Sequence, residues 1–201
     1  MENICTFVVQ IEMKRKLRNI IERPLKLIFA TSATWDIIAS LKVTKLDLRK
    51  RFLIPWVAFI VGIVFIFSIL YAPNKSIEVG IINTIITILS FIGGYFLSNA
   101  ICFWYLRKQY HEKYSALACE KIVCFSFTAI FILKVITTVL PSLFFLQILS
   151  IYTAYLIWEG CRAILKLNEE ERGNIVLVFT LTIVFLPVLI GQIIHLMLPN
   201  A

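Results

Sequence analysis

The chain alternates between long apolar blocks and short polar connectors. A helix needs about 20 apolar residues to cross roughly 30 Å of hydrocarbon, and five blocks meet that length. These blocks are 52–72, 77–106, 115–140, 142–165 and 174–199. The connectors between them are too short for a separate soluble domain. The pattern therefore predicts an all-α fold, a polytopic integral membrane bundle of five transmembrane helices over 52–199.

Residues 1–51 form a polar, basic segment before the first span. Within it, 24–41 carries apolar residues at spacings that place them on one helical face, and Pro24 suits a first helical turn. Trp35 is of a type that anchors at membrane interfaces. We expect an interfacial amphipathic helix that lies on the membrane or against the bundle. A docking surface for a cytosolic partner is the alternative.

Composition and charge agree with a membrane protein. The chain is 60% hydrophobic, only 16% charged, and has a mean hydropathy of +0.88. Its net charge is +8, and eleven of the 20 Lys and Arg residues precede residue 52. Most of the others lie in the connectors 107–121 and 162–172, which predicts an N-in/C-out orientation. No folded basic groove is encoded, so we expect no nucleic acid partner.

The residues that commonly carry chemistry follow no catalytic or metal-binding pattern. The five cysteines fall at or near the predicted cytoplasmic side, where thiols stay reduced, and none forms a CxxC pair. A Gly-x-Ser-x-Gly motif is absent, and "YHEKY" lacks the second histidine of a metalloprotease motif. We therefore expect no enzyme, no metal and no cofactor.

The second block carries a stripe of polar and small residues at helical spacing. Its members are Asn83, Thr87, Ser90, Gly94 and Ser98. A small-xxx-small pattern allows two helix backbones to approach closely. The stripe is expected to pack against the bundle or against a second copy of the chain, and a wall of a solute pathway is the alternative.

A second group of polar residues centres on Glu159, a carboxylate inside the fourth block. The candidate polar layer comprises Asn99, Glu159, Arg162 and Thr180. Arg162 is close enough on the helix to pair with Glu159, so a structural pair is one interpretation. A carboxylate that binds a proton or ligand is the other. Lys134 and His195 are expected to reach the outer membrane interface.

Three stretches resemble the Ypt-interacting-protein (Yip) family. They are "TWDII" before the first span, "FLIPW" at its start and "IYTAYLIWEG" in the fourth. The resemblance runs from about residue 24 to 199 and is to the compact, prokaryotic type. One departure is Thr31-Ser32, where that branch often has a proline. Eukaryotic relatives are linked to vesicle budding and to prenylated small GTPases, and the family supplies no catalytic residues.

The residues and the resemblance together predict a non-enzymatic integral membrane protein. Its expected role is interaction or scaffolding in membrane organisation or trafficking. Expected partners are the lipid bilayer and a second copy or another membrane or cytosolic protein, and in a prokaryote its place is the cytoplasmic membrane. The alternative is a small transporter or lipid-handling protein that uses the polar layer around Glu159.

Overall fold

The computed structural model describes residues 27, 31–40, 43–72, 76–110 and 113–197. Every regular element within these ranges is helical. The helices are α1 (Thr31–Ser40), α2 (Lys45–Tyr71), α3 (Ile77–Tyr110), α4 (Ala116–Val139), α5 (Pro141–Leu165) and α6 (Glu169–Met197). Helices α2 to α6 are long and apolar enough to cross a membrane. The predicted all-α, five-span class is confirmed, whereas Cys5 and Pro24 lie outside the described residues.

Two helices begin earlier than the apolar blocks suggest. Helix α2 starts with a capping box, in which the Asp47 N–H donates to Thr44 Oγ1 at 3.2 Å and the Thr44 N–H donates back to the Asp47 carboxylate. Helix α6 starts at Glu169, and its acidic first turn suits the positive end of the helix dipole. Polar ends extend a helix beyond its apolar block because caps satisfy its first N–H groups.

Helix α4 is the most enclosed of the five spans. Its first half is buried almost continuously from Cys119 to Ala129, and it packs against α2, α3 and α5. Helix α1 lies at this end of the bundle, against the start of α4 and the end of α5. We call it the α1 end and the opposite one the far end. The four described cysteines, Cys102, Cys119, Cys124 and Cys161, are free thiols in the core.

Helix α5 changes character along its length. It follows α4 after a single residue, and its first stretch, Pro141–Ile151, is a 3₁₀ helix with no buried residue. Leu143 departs from helical geometry there (φ −92°, ψ 25°). From Tyr152 the helix is α-helical and buries Leu156, Ile157 and Gly160. Only the half of α5 at the α1 end is therefore integrated into the core.

Candidate functional site

The indole of Trp35 attaches α1 to the bundle. Trp35 has no exposed surface and lies against Gly160, whose missing side chain leaves room for the ring. Its ring also meets Phe125 edge to face, with centroids 6.1 Å apart. The sequence predicts an interfacial anchor here, but the structure encloses this ring in protein, because a helical glycine in α5 provides a flat surface for it.

Lys121 holds the C-terminal end of α1. Its ammonium donates hydrogen bonds to the backbone carbonyls of Ile38 at 3.1 Å and Ala39 at 3.4 Å. The last carbonyls of a helix have no intrahelical partner, and a cation there is also favoured by the helix dipole. Lys121 thus serves as a cap supplied by α4 to another helix.

Glu159 and Arg162 complete the attachment of α1. The Arg162 Nε–H donates to Glu159 Oε2 at 2.8 Å, so the two predicted neighbours do pair. The other arm of the guanidinium reaches α1, where it donates to Ser32 Oγ at 2.8 Å and lies 3.5 Å from Asp36 Oδ1. Glu159 therefore orients the arginine that bridges α5 and α1.

The other two members of the predicted polar layer are not joined to this network. Asn99 Oδ1 and Thr180 Oγ1 are both buried, and neither has a hydrogen-bond partner among the residues described. The Arg162 guanidinium contacts Glu159 on one side and α1 on the other. The structure therefore connects Glu159 to α1 and not to Asn99 or Thr180.

A buried carboxylate that the sequence analysis did not single out lies at the centre of the α1 end. Glu120 has no exposed surface and accepts from Arg49 Nε at 2.5 Å and from the Tyr95 hydroxyl at 2.9 Å. The Arg49 guanidinium also lies over the Phe96 ring, 5.0 Å from its centroid. One ion pair thus ties α2, α3 and α4 together at a depth where an unpaired charge is costly.

The position of Glu120 on the apolar face of α4 could have identified it from the sequence. It shares a face of α4 with Cys124, Phe127 and Phe131, all of which have no exposed surface, and residues at steps of three and four face the same side of a helix. The partners Arg49 and Tyr95 carry no such signal, because they come from other helices. Arg49 is brought into place by the π-helical turn Arg49–Leu53, a feature that frequently occurs at functional sites.

The stripe on α3 divides into two parts. Toward the α1 end it faces α6: a Cβ on Gly94 would stand 2.7 Å from Pro187 Cγ, and the Ser98 hydroxyl donates to the Thr182 carbonyl at 3.2 Å. Toward the far end, Asn83, Thr87 and Ser90 line a cavity. A continuous stripe in sequence thus serves one packing contact and one cavity wall.

No described residues form a cluster of three or more His, Cys, Asp or Glu side chains that would hold a metal ion. The buried and half-buried charges described above for the α1 end are instead joined to one another and to backbone carbonyls. Together with the Trp35–Gly160 contact, these interactions fix α1 on the membrane bundle.

Comparison with known proteins identifies the family. The family model of the Yip1 domain matches residues 27–192, a range that includes α1 and most of the five-span bundle. Neither the curated proteins nor the solved structures contain a match to this chain. Since the matched range covers most of the sequence, the chain is an integral membrane protein that belongs to the Yip1 domain family.

Proposed function

We propose that this protein is a non-enzymatic organiser of membranes that binds a protein partner through α1 and the start of α2. The observation that supports the proposal is the attachment of α1 by one face only. Trp35, Lys121 and Arg162 hold that face to α4 and α5. The opposite face remains exposed, with Ile37 at 63%.

The exposed apolar and basic residues of that face and of the first turns of α2 are what we call the α1 surface. It consists of Ile37, Lys45, Leu46, Lys50 and Arg51. The carboxylates of Asp36 and Asp47 lie in the same segments, with side chains 59% and 41% exposed. Exposed apolar residues rimmed by charge are typical of interaction sites, and a helix already held in place loses little freedom on binding. In the N-in/C-out orientation that the charge distribution predicts, the surface faces the cytoplasm and suits a partner with an apolar centre and acidic rim.

The alternative, a transporter or lipid-handling protein built on Glu159, has less support. The Glu159 carboxylate is paired with Arg162, and the polar atoms of Asn99 and Thr180 do not join it. A transport carboxylate must exchange a proton or ligand, whereas this one orients an arginine toward α1.

Site-specific photocrosslinking in intact membranes tests the proposal. A benzophenone amino acid replaces Ile37 on the α1 surface or, as the matched control, Phe185, an apolar α6 residue of similar exposure at 55%. We expect a discrete protein adduct from position 37 only, and its loss when Lys50 and Arg51 are changed to Glu. An adduct of twice the chain's own mass would identify the partner as a second copy.

The same experiment separates the two candidate functions. Glu159→Gln should leave the adduct intact, because the amide oxygen can still accept from Arg162 and orient it toward Ser32 and Asp36. A protein adduct at neither position, from protein that remains folded in the membrane, would refute the interaction surface. The same adduct at both positions would show that α1 confers no specificity, which refutes it equally.

A further inference from the structure

A cavity of about 420 Å³ lies at the far end of the bundle, away from the α1 surface. It is bounded by α3, α4, α6 and the first half of α5. That half of α5, Pro141–Ile151, packs on α4 and buries none of its residues. The space exists because this stretch is not drawn into the core as the second half of α5 is.

The cavity contains one amine side chain, and that amine is unpaired. Lys134 lies on its wall, and no carboxylate side chain does. In the part of the chain that the structure describes, the Lys134 ammonium has no hydrogen-bond or ion-pair partner. A cation within a membrane span is costly unless it meets an anion or water. The sequence suggested that Lys134 reaches outward, whereas the structure places it on this cavity.

The lining changes from polar to apolar with depth. Toward the far end the wall carries amide, imidazole and ammonium groups, namely Asn83, Lys134, Gln192 and His195. Further along the same helices, toward the α1 end, it is mainly apolar, with Phe91, Ile130 and Val184 beside the small hydroxyls of Thr87 and Ser90. A polar mouth above an apolar interior matches a molecule with a charged head and a hydrocarbon body. A volume of this size is also within the usual range of ligand sites, about 300–1,000 Å³.

A further polar atom in the cavity lacks a partner. The hydroxyl of Ser90 is buried and makes no hydrogen bond to any described residue, although it lines the cavity. Buried polar groups are nearly always hydrogen-bonded, and this hydroxyl stands 3.0 Å from the position of a Cβ on Gly191, where α3 and α6 meet on the cavity wall.

We propose that the cavity binds an amphiphile with an anionic headgroup, whose carboxylate or phosphate pairs with Lys134 and whose chain fills the apolar interior. The pairing satisfies the cation inside the span, and the amides of Gln147 and Gln192 supply further donors on the cavity wall. This site is independent of the α1 surface, since it lies at the opposite end of the bundle and shares no residue with it.

Native mass spectrometry of the full chain, titrated with defined lipids in a non-ionic detergent, tests the site. The probes are oleate for a fatty-acid source, phosphatidylglycerol for a phospholipid source and monoolein as the uncharged control. At least one anionic probe should bind more tightly than monoolein. Lys134→Gln should weaken that probe about tenfold or more, the size of a charged hydrogen bond, while Lys134→Arg retains it.

Two further variants keep the result interpretable. Lys166→Gln removes an exposed cation from the opposite end and should leave binding unchanged. Val188→Trp adds bulk to a half-exposed residue on the cavity wall without altering charge, and it should weaken the anionic probe that binds. Monoolein binding as tightly as the tighter of the two anions, wild-type affinity in Lys134→Gln, or no binding of any probe would each overturn the proposal.

Discussion

The indole of Trp35 lies so close to Gly160 that a Cβ at position 160 would stand 3.0 Å from both Cη2 and Cζ2 of the ring. That contact joins α1 to the fourth span. Any side chain at 160 must displace either the ring or the helix that carries it, since the surrounding core has little free space. The position of α1 therefore depends on the absence of a side chain in another helix.

Gly160→Val should detach α1 from the bundle. The added methyl groups push against Trp35, so the ring becomes exposed to solvent and the segment 31–40 becomes sensitive to protease. The measurements are tryptophan quenching and limited proteolysis of the protein in detergent. Gly62→Val is the matched control, because nothing lies within 4 Å of a Cβ at that span position. Equal proteolysis of the two variants would contradict the role of this contact.

Breaking the buried ion pair should destabilise the bundle strongly. Arg49→Met leaves the Glu120 carboxylate buried without its cation, at a cost of about 3 kcal/mol, the low end of the range for buried pairs because Arg49 stays partly exposed. The double variant Arg49→Met with Glu120→Met should recover much of this loss, since an apolar pair replaces the charges. Denaturant unfolding in detergent measures both.

The exposed ion pair at the start of α2 provides the control for that cycle. Arg51 lies 3.5 Å from Asp47, and both side chains are largely open to solvent. Exposed pairs contribute little, so Arg51→Met should leave the unfolding midpoint nearly unchanged. If the stability lost in the double variant equals the sum of the losses in Arg49→Met and in Glu120→Met, the two residues do not act as a pair.

Removing the Lys121 cap should loosen the end of α1 without unfolding the spans. Lys121→Met leaves the carbonyls of Ile38 and Ala39 without this donor. The free energy that holds α1 on the bundle should fall by about 1–3 kcal/mol. Hydrogen exchange should rise in α1 and stay constant in α3 and α6. Lys113→Met, at an exposed connector position, should change neither, and faster exchange throughout the bundle would contradict a local capping role.

Two adjacent glycines on α3 should respond differently to the same substitution. A Cβ at Gly94 would stand 2.7 Å from Pro187 Cγ, whereas one at Gly93 would meet only the side chain of Ile190, at 3.4 Å or more. Gly94→Val should therefore cost about 1–3 kcal/mol of stability through overcrowding, and Gly93→Val far less. Thermal unfolding of the two variants in the same detergent measures the difference.

The contact with Pro187 can be tested directly by rescue. Pro187→Ala removes the ring atoms that meet Gly94 and returns a hydrogen-bond donor to the middle of α6. Combined with Gly94→Val, it should restore part of the lost stability. Equal losses in Gly93→Val and Gly94→Val, with no rescue, would show that α3 and α6 do not depend on this close approach.

Several features of this protein could be predicted from local sequence alone. The number of spans follows from apolar blocks, because the thickness of hydrocarbon sets a minimum length for each helix. The hairpin at Pro141 and the Glu159–Arg162 pair are also local, since one depends on a proline and the other on a spacing of three residues. The burial of Glu120 could also be predicted, because its spacing places it on the apolar face of α4.

Which side chains meet across helices depended on the tertiary structure. Arg49 and Glu120 are 71 residues apart in the chain, and Trp35 contacts Gly160 from a different helix. The rotation of each helix about its axis decides such contacts, and the pattern of apolar residues in a span that is apolar all round does not specify that rotation. The sequence by itself determined five spans and a segment before them; packing alone enclosed Trp35, paired Glu120 and placed Lys134 on a cavity.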